Sequence, residues 1–409
     1  MNSNPASLGD FATRYRALVE PYSGPLTPSG LMGEAEQIMG MSDWGGDDFA
    51  ETRFRERLAA MCQSMETEAG LNAAGRSRAH SRILFNVCGR LGVVDWHRRN
   101  PGAPPITAPL IGTGFGRAGT SFLHQLLGQD PDNNSAPMAE CMIPTPPPGD
   151  PQVDAARFDF VGRLMDFHGI RSPEIEAIHP FQPENAAECG AIQASTMGTE
   201  YQAFWSLPTY IQRAHADVED LFDWEKAVLQ LMGSGKSGKR WLLKTPQHLG
   251  HWTTMVSAFP DARVYVNHRD PAKTVPSLLS LTGTFAALNT DRKMDIKQAA
   301  KAIVARMNPM KPVTEWRKAH PEFKVIDVHY KRMTADPIGE AERLYDAFGL
   351  TLSALARERM EAFVKTNRHA HGPKHRYTLA DFGLTEADIE AAFGDYLDEY
   401  GVERERDRV

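Results

Sequence analysis

The sequence predicts an α/β fold, a parallel sheet with helices on both faces, behind a helical N-terminal segment. Three observations predict it. The stretch Ile106–Leu127, ITAPLIGTGFGRAGTSFLHQLL, passes from a short apolar run through Gly112, Gly114, Gly116 and Gly119 into an apolar helical pattern. Three more apolar runs, Trp241–Leu243, Ala262–Asn267 and Lys324–Val328, each precede a helical stretch. Strands alternating with helices build a parallel sheet covered on both sides. Before Pro105 the apolar spacing is that of helices.

Taken in order, Phe49–Glu68 sets Phe54, Leu58, Met61 and Met65 at helical intervals, and Arg78–Trp96 does the same with Ile83, Val87, Leu91 and Val94. Between Asp43 and Asp48, DWGGDD reads as a solvated turn; its acidity invites a metal, but its spacing matches no metal loop. NPGAPP (Asn100–Pro105) is a stiff linker into the first strand, which is expected over Ile106–Ile111. Ile143–Pro151 is too proline-rich for helix or central strand. Arg157–Phe167, Glu184–Thr196 and Trp224–Met232 read as helices, and the aromatic run Phe204–Tyr210 as core or pocket lining. Leu249–Phe259, the stretch through Ser277–Leu281 and Ile338–Phe348 are the helices that follow the later strands. The expected organisation is a helical cap over residues 1–105 and an α/β domain over 106–409.

Charge and composition exclude some functions. With 45 Lys and Arg against 52 Asp and Glu, the net charge is −7, which leaves no broad basic footprint for nucleic acid or an anionic membrane. A basic site must be local. Cys62, Cys88, Cys141 and Cys189 lack metal-binding spacing and read as reduced thiols. The N-terminal MNSNPASLGDF lacks the basic and apolar regions of a signal peptide, and no apolar run is long enough to span a bilayer. A cytoplasmic location is expected.

Strand, glycine turn and hydroxyl-led helix together make an anion site, because glycines admit backbone N–H groups to the ligand and the helix adds its positive end. Gly114-x-x-x-x-Gly119 has Walker A spacing, but Thr120 and Ser121 stand where Lys and Ser/Thr belong, and Arg117 lies earlier in the loop. Without that lysine a nucleoside triphosphate is disfavoured. GSGK (Gly233–Lys236) has Gln230 where a P-loop needs its first glycine, and a strand follows it. It reads as a surface turn.

Three motifs in order resemble the 3′-phosphoadenylyl-sulfate-dependent sulfotransferases, in particular a bacterial branch with a long helical N-terminal segment. GFGRAGTSFLHQLL (Gly114–Leu127) is similar to that family's 5′-phosphosulfate loop, WLLKTPQHL (Trp241–Leu249) to its lysine-bearing strand end, and HRDPAKTVPSLLSL (His268–Leu281) to its 3′-phosphate motif. DWGGDDF and KHRYTLADFGL (Lys374–Leu384) are weaker echoes.

The resemblance implies a P-loop-type sheet and transfer of a sulfuryl group from 3′-phosphoadenylyl sulfate to a small acceptor's hydroxyl or amine, without a metal. It implies that Arg117, Gly119, Thr120 and Ser121 hold the 5′ end of the donor. Arg269, a planar donor fork, and Ser277, two helical turns further on, are expected to meet over the 3′-phosphate, beneath a basic loop carrying Lys374 and Arg376. Lys244 would stabilise the transferring sulfuryl group. Glu140 is the first candidate for the general base and His248 the second, with Glu188 and His179 behind them. Two other readings stay open: a small-metabolite kinase, and a nucleotide-binding relative without activity.

Overall fold

The computed structural model describes residues 15–405 except 177, 179–180, 199–204, 206, 215–217, 293–294, 296, 298–299, 302–303, 305–309 and 368–377. The chain separates into two compact units. One comprises Met1–Ile106, Ala136–Ser237 and Thr284–Arg292, the other Thr107–Ser135, Gly238–Gly283 and Lys293–Val409. The first crossing falls next to the linker before the first strand, but the chain later returns, so the N-terminal helices share their unit with a long central segment.

The described elements of the first unit are helices and 3₁₀ turns. Thr27, Asn72 and Asp150 start Pro28–Met39, Ala73–Arg99 and Pro151–Phe167 by accepting from N–H groups of the first turn. Glu51–Thr67 and Glu219–Gly233 complete the main set. Ala73–Arg99 is buried on nearly every side, as suits a central helix. Gly75 is required there, because a Cβ would lie 1.9 Å from the Asn289 carbonyl oxygen. Glu184–Thr196, expected to be one helix, is helical only over Cys189–Gln193, with a 3₁₀ turn at Ala194–Thr196. Its opening residues instead reach towards Pro137, with Ala186 in a β-bridge to it. Trp205 and Tyr210 are core residues, and the Tyr210 hydroxyl donates to Met197 O at 2.6 Å. In the acidic turn Asp43 and Asp48 pair with Arg98, at 3.0 and 2.7 Å. The buried Arg90 donates to the Trp44 and Phe49 carbonyls. The turn is tied down by arginines.

The second unit holds the sheet: β1 (Leu110–Gly114), β2 (Asn133–Asn134), β3 (Arg240–Lys244), β4 (Arg263–His268) and β5 (Val325–His329), all parallel, in the order β2-β3-β1-β4-β5. β1 begins later than expected. Ala108 takes a left-handed φ of 43° ahead of Pro109, which blocks an earlier start. The strand then runs through Gly112, Thr113 and Gly114, which the sequence assigned to the turn. They pair as strand because Gly112 lets the Tyr265 ring of β4 approach, to within 2.4 Å of where a Cβ would be. The helix expected over Leu249–Phe259 is a 3₁₀ turn at Pro246–Leu249 and a short helix, Trp252–Ala258. Leu110, Leu123, Leu127, Leu242, Val328 and Leu344 pack one side of the sheet; burying such a side chain contributes roughly 1.5–3 kcal/mol. From β1 the chain moves to the β2 edge, and from β4 it moves to the opposite edge at β5. Connections diverging in this way open a crevice at the carboxyl ends of β1 and β4, where open α/β sheets bind ligands.

Candidate functional site

The loop leaving β1 is held in conformations that most residues avoid. Gly114 has φ 141°, with the Asn267 carbonyl oxygen 2.4 Å from a hypothetical Cβ. Gly119 has φ 83° and is packed against Met333 and Tyr330, so a Cβ would lie 2.5 Å from Met333 Cε. Between them Arg117 is itself left-handed, at φ 72°. A non-glycine residue held there marks a backbone constrained by its surroundings. Helix Thr120–Leu127 starts at Gly119 with no side-chain cap, and first-turn N–H groups of a helix lack acceptors within the helix. Thr120 is buried and Ser121 partly so.

Lys244 ends β3 in register with Gly112. The residue is 1% exposed, and its ammonium donates to Ser121 Oγ at 3.1 Å. An ammonium buried beside a hydroxyl and a helix N-terminus suits an oxyanion, because burying a cation is costly unless negative charge comes near it. Thr113 Oγ1 donates to the Thr245 carbonyl at 2.9 Å and fixes the start of the next turn.

Arg269 follows β4, and Ser277 lies on helix Pro271–Asn289. Arg117 links the two. Its Nε donates to Ser277 Oγ at 2.9 Å, and its carbonyl accepts from Arg269 Nη1 at 3.2 Å. The guanidinium of Arg269 lies 3.8 Å over the Tyr330 ring. The rest of its fork is engaged by Glu405, with Nε to Oε1 at 2.9 Å and Nη2 to Oε2 at 3.3 Å. Asp270 instead caps the helix, accepting from the Ala272 N–H at 2.9 Å. Glu405 stands 136 positions from Arg269, and no motif in the sequence pointed to it.

Beneath Arg269, His268 is buried between Asp327, 2.9 Å from Nε2, and the Tyr396 hydroxyl, 3.1 Å from Nδ1. Burial holds its pKa low against the opposing pull of Asp327. Asp327 stays well below the usual carboxylate range: burial acts the other way, but bonds from Arg317 and His268 outweigh it. This network anchors the ends of β4 and β5.

The candidate bases differ. His248 is 1% exposed in the 3₁₀ turn after Lys244. Burial, then the charges of His251 and Lys244, push its pKa down to about 3. Glu140 belongs to the first unit, on helix Met138–Met142, and its carboxylate is 2.7 Å from Lys236 Nζ. The GSGK turn is therefore more than solvated surface. Gly235 packs its backbone on Pro148, with no room for a side chain, and its neighbouring lysine reaches a buried acid. Glu188 precedes helix Cys189–Gln193 without a side-chain cap bond. His179, Lys374 and Arg376 lie outside the described residues.

Two kinds of comparison bear on this arrangement. The fold resembles the crystal structure of sulfotransferase STF9 from Mycobacterium avium, with a TM-score of 0.81 and 25% identity, covering 95% of this chain and all of that one (100%). It also resembles sulfotransferase STF1 from Mycobacterium tuberculosis H37Rv, with a TM-score of 0.70 and 25% identity over 90% and 98% of the two chains. Among curated sequences it is similar to the omega-hydroxy-beta-dihydromenaquinone-9 sulfotransferase Stf3 of Mycobacterium bovis and of Mycobacterium tuberculosis. The identity is 20% over 347 residues, 81% of this chain and 87% of the relative. Residues 109–354, which include the glycine loop, Lys244, Arg269 and Ser277, match the sequence pattern of the sulfotransferase family. The chain belongs to the sulfotransferase family.

Proposed function

We propose that this chain moves a sulfuryl group from 3′-phosphoadenylyl sulfate to the hydroxyl or amine of a small acceptor, releasing adenosine 3′,5′-bisphosphate. The observation that carries the reading is Arg117, which joins the glycine loop to Ser277 and Arg269 in one hydrogen-bonded set. Two anion-binding groups then face one crevice, one from the loop and one from the end of β4. A nucleotide with anionic groups at its 5′ and 3′ positions satisfies both.

In the transfer, the acceptor oxygen or nitrogen forms a bond to sulfur as the bond from sulfur to the bridging phosphate oxygen breaks. The acceptor's proton goes to a base, and the electron pair of the broken bond stays on the phosphate. Gly119, Thr120 and Ser121 bind the 5′-phosphate through N–H and hydroxyl donors, and Lys244 and Arg117 neutralise charge on the sulfuryl group and the leaving oxygen. Arg269 and Ser277 take the 3′-phosphate, and Lys374 and Arg376 are proposed to add positive charge to it. Glu140 is the preferred base, because the burial that lowers His248 to a pKa of about 3 makes that imidazole a weak proton acceptor. Lys236 pairs with Glu140 at 2.7 Å and fixes where its carboxylate sits. A cytoplasmic location and a reaction without metal belong to the same proposal.

The curated relatives carry a name for sulfation of an ω-hydroxylated dihydromenaquinone, so an alcohol at the end of an apolar chain is the first acceptor class to try. The test is incubation with sulfur-labelled donor and a metabolite extract, followed by mass spectrometry. A sulfated small molecule should form with the native chain and not with Lys244→Ala. Donor that binds but is never consumed would support the inactive nucleotide-binding relative instead.

A further inference from the structure

Past helix Glu386–Glu399, residues 402–405 form a strap that brings Glu405 to the end of β4. Val402 is 5% exposed and its N–H donates to the Leu397 carbonyl at 2.8 Å, so the strap has a fixed root. Beyond it, Glu403 pairs with Lys331, and Arg404 pairs with Glu390 and Asp398. Glu405 closes the strap. Its carboxylate takes two bonds from the Arg269 fork, and its N–H donates to Asp270 Oδ2 at 2.5 Å. A cavity of about 310 Å³ lies between this strap and the ends of β4 and β5, and its walls include Arg269, His329, Lys331, Arg332 and Glu405.

A carboxylate that accepts two N–H bonds from a guanidinium uses the same fork as a phosphate monoester. The Nε–Nη2 edge of Arg269, which Glu405 occupies, cannot give both bonds to each at once. We propose that the strap is an autoinhibitory gate: Glu405 occupies the Arg269 fork in the ligand-free chain, and the donor's 3′-phosphate must displace it to bind. The inference rests on reading Arg269 as the 3′-phosphate residue. Three features favour a gate over a fixed brace. The Arg269 and Glu405 side chains keep 21% and 17% of their exposure, so the pair is partly screened. Glu403 and Arg404 pair with exposed partners, Lys331 at 47%, Glu390 at 52% and Asp398 at 73%, so those ion pairs add little to hold the strap. Arg269 is also held by its stacking on Tyr330 and its bond to the Arg117 carbonyl, two contacts that do not involve Glu405.

Calorimetric titration of adenosine 3′,5′-bisphosphate and of adenosine 5′-monophosphate into the native chain, Glu405→Gln and Glu405→Ala tests this. If the gate is closed most of the time, the bisphosphate should bind the two variants about five- to tenfold more tightly than it binds the native chain, since apparent affinity scales with the competent fraction. The monophosphate, which leaves the fork to Glu405, should change less than about twofold on the same reasoning. Unchanged or weaker bisphosphate binding in both variants, with preference over the monophosphate retained, would overturn the gate and leave Arg269 as the 3′-phosphate residue. Equal binding of the two nucleotides by all three proteins would remove the reading of Arg269, and the gate with it.

Discussion

Lys244 and Arg269 are two cations at the same end of one sheet, and they are held in opposite ways. Lys244 is 1% exposed, rooted in a central strand and aimed at a hydroxyl. Arg269 sits after β4, about a fifth exposed, with its fork on a carboxylate from the chain terminus. A buried ammonium beside a helix N-terminus is preorganised, since it needs little rearrangement when negative charge arrives, and that suits stabilising a transition state. A guanidinium about a fifth exposed, able to exchange one anion for another, suits recognition. On the proposed function, the difference divides labour within the crevice, with Lys244 assigned to rate and Arg269 to selection.

Substitutions at the two sites should separate along that line. Lys244→Ala should reduce kcat by about 10²–10³, the scale of losing one preorganised donor to developing charge, with the dissociation constant for adenosine 3′,5′-bisphosphate changed far less. A comparable loss of nucleotide binding would assign Lys244 to recognition. Arg269→Ala should show the reverse, with bisphosphate affinity falling about tenfold to a hundredfold, as expected for charged hydrogen bonds, and adenosine 5′-monophosphate binding nearly unchanged. Ser277→Ala removes one neutral hydroxyl, whose net worth is about 0.5–1.5 kcal/mol, and should weaken the bisphosphate by a smaller factor measured in the same titration.

A pH measurement sharpens the Lys244 side. His248 has a folded pKa of about 3 against an ordinary 6.5. The unfolded chain therefore takes up a proton that the folded chain refuses, so the contribution is intact above the ordinary value and is lost as pH falls from there toward about 3. His248→Gln should flatten the decline in unfolding free energy below that point, by at most about 1.4 kcal/mol per pH unit. Identical slopes in denaturant melts of the two proteins would show that His248 is not held neutral by burial.

The sheet and the order of its motifs were readable because they depend on local pattern. Trp241–Leu243 and Ala262–Asn267 carry the apolar density of buried strands, and their observed limits lie within one or two residues. What was missed depends on contacts distant in sequence. Gly112–Gly114 has the composition of a turn and becomes strand through the approach of Tyr265. The return of Ala136–Ser237 to the N-terminal helices has no local signature. Within the site, eight positions between Arg269 and Ser277 suggested a direct meeting over one phosphate. The structure inserts Arg117 between them, by a left-handed backbone that sequence patterns do not forecast for arginine. Lys236 on Glu140 and Glu405 on Arg269 belong to the same class: ion pairs between residues far apart in the chain, one of them formed by a segment read as a surface turn and the other by a segment in which no motif was found.

The central claim is that the crevice selects a nucleotide bearing anionic groups at both 5′ and 3′ positions, with no need of a metal ion. Thermal unfolding with adenosine 3′,5′-bisphosphate in the presence of a chelator tests it most directly, set against ATP with magnesium. The account expects the bisphosphate to raise Tm in a concentration-dependent way, as ligand linkage requires, and ATP–magnesium to do little. Stabilisation by ATP–magnesium with no response to the bisphosphate would contradict the account and favour a kinase.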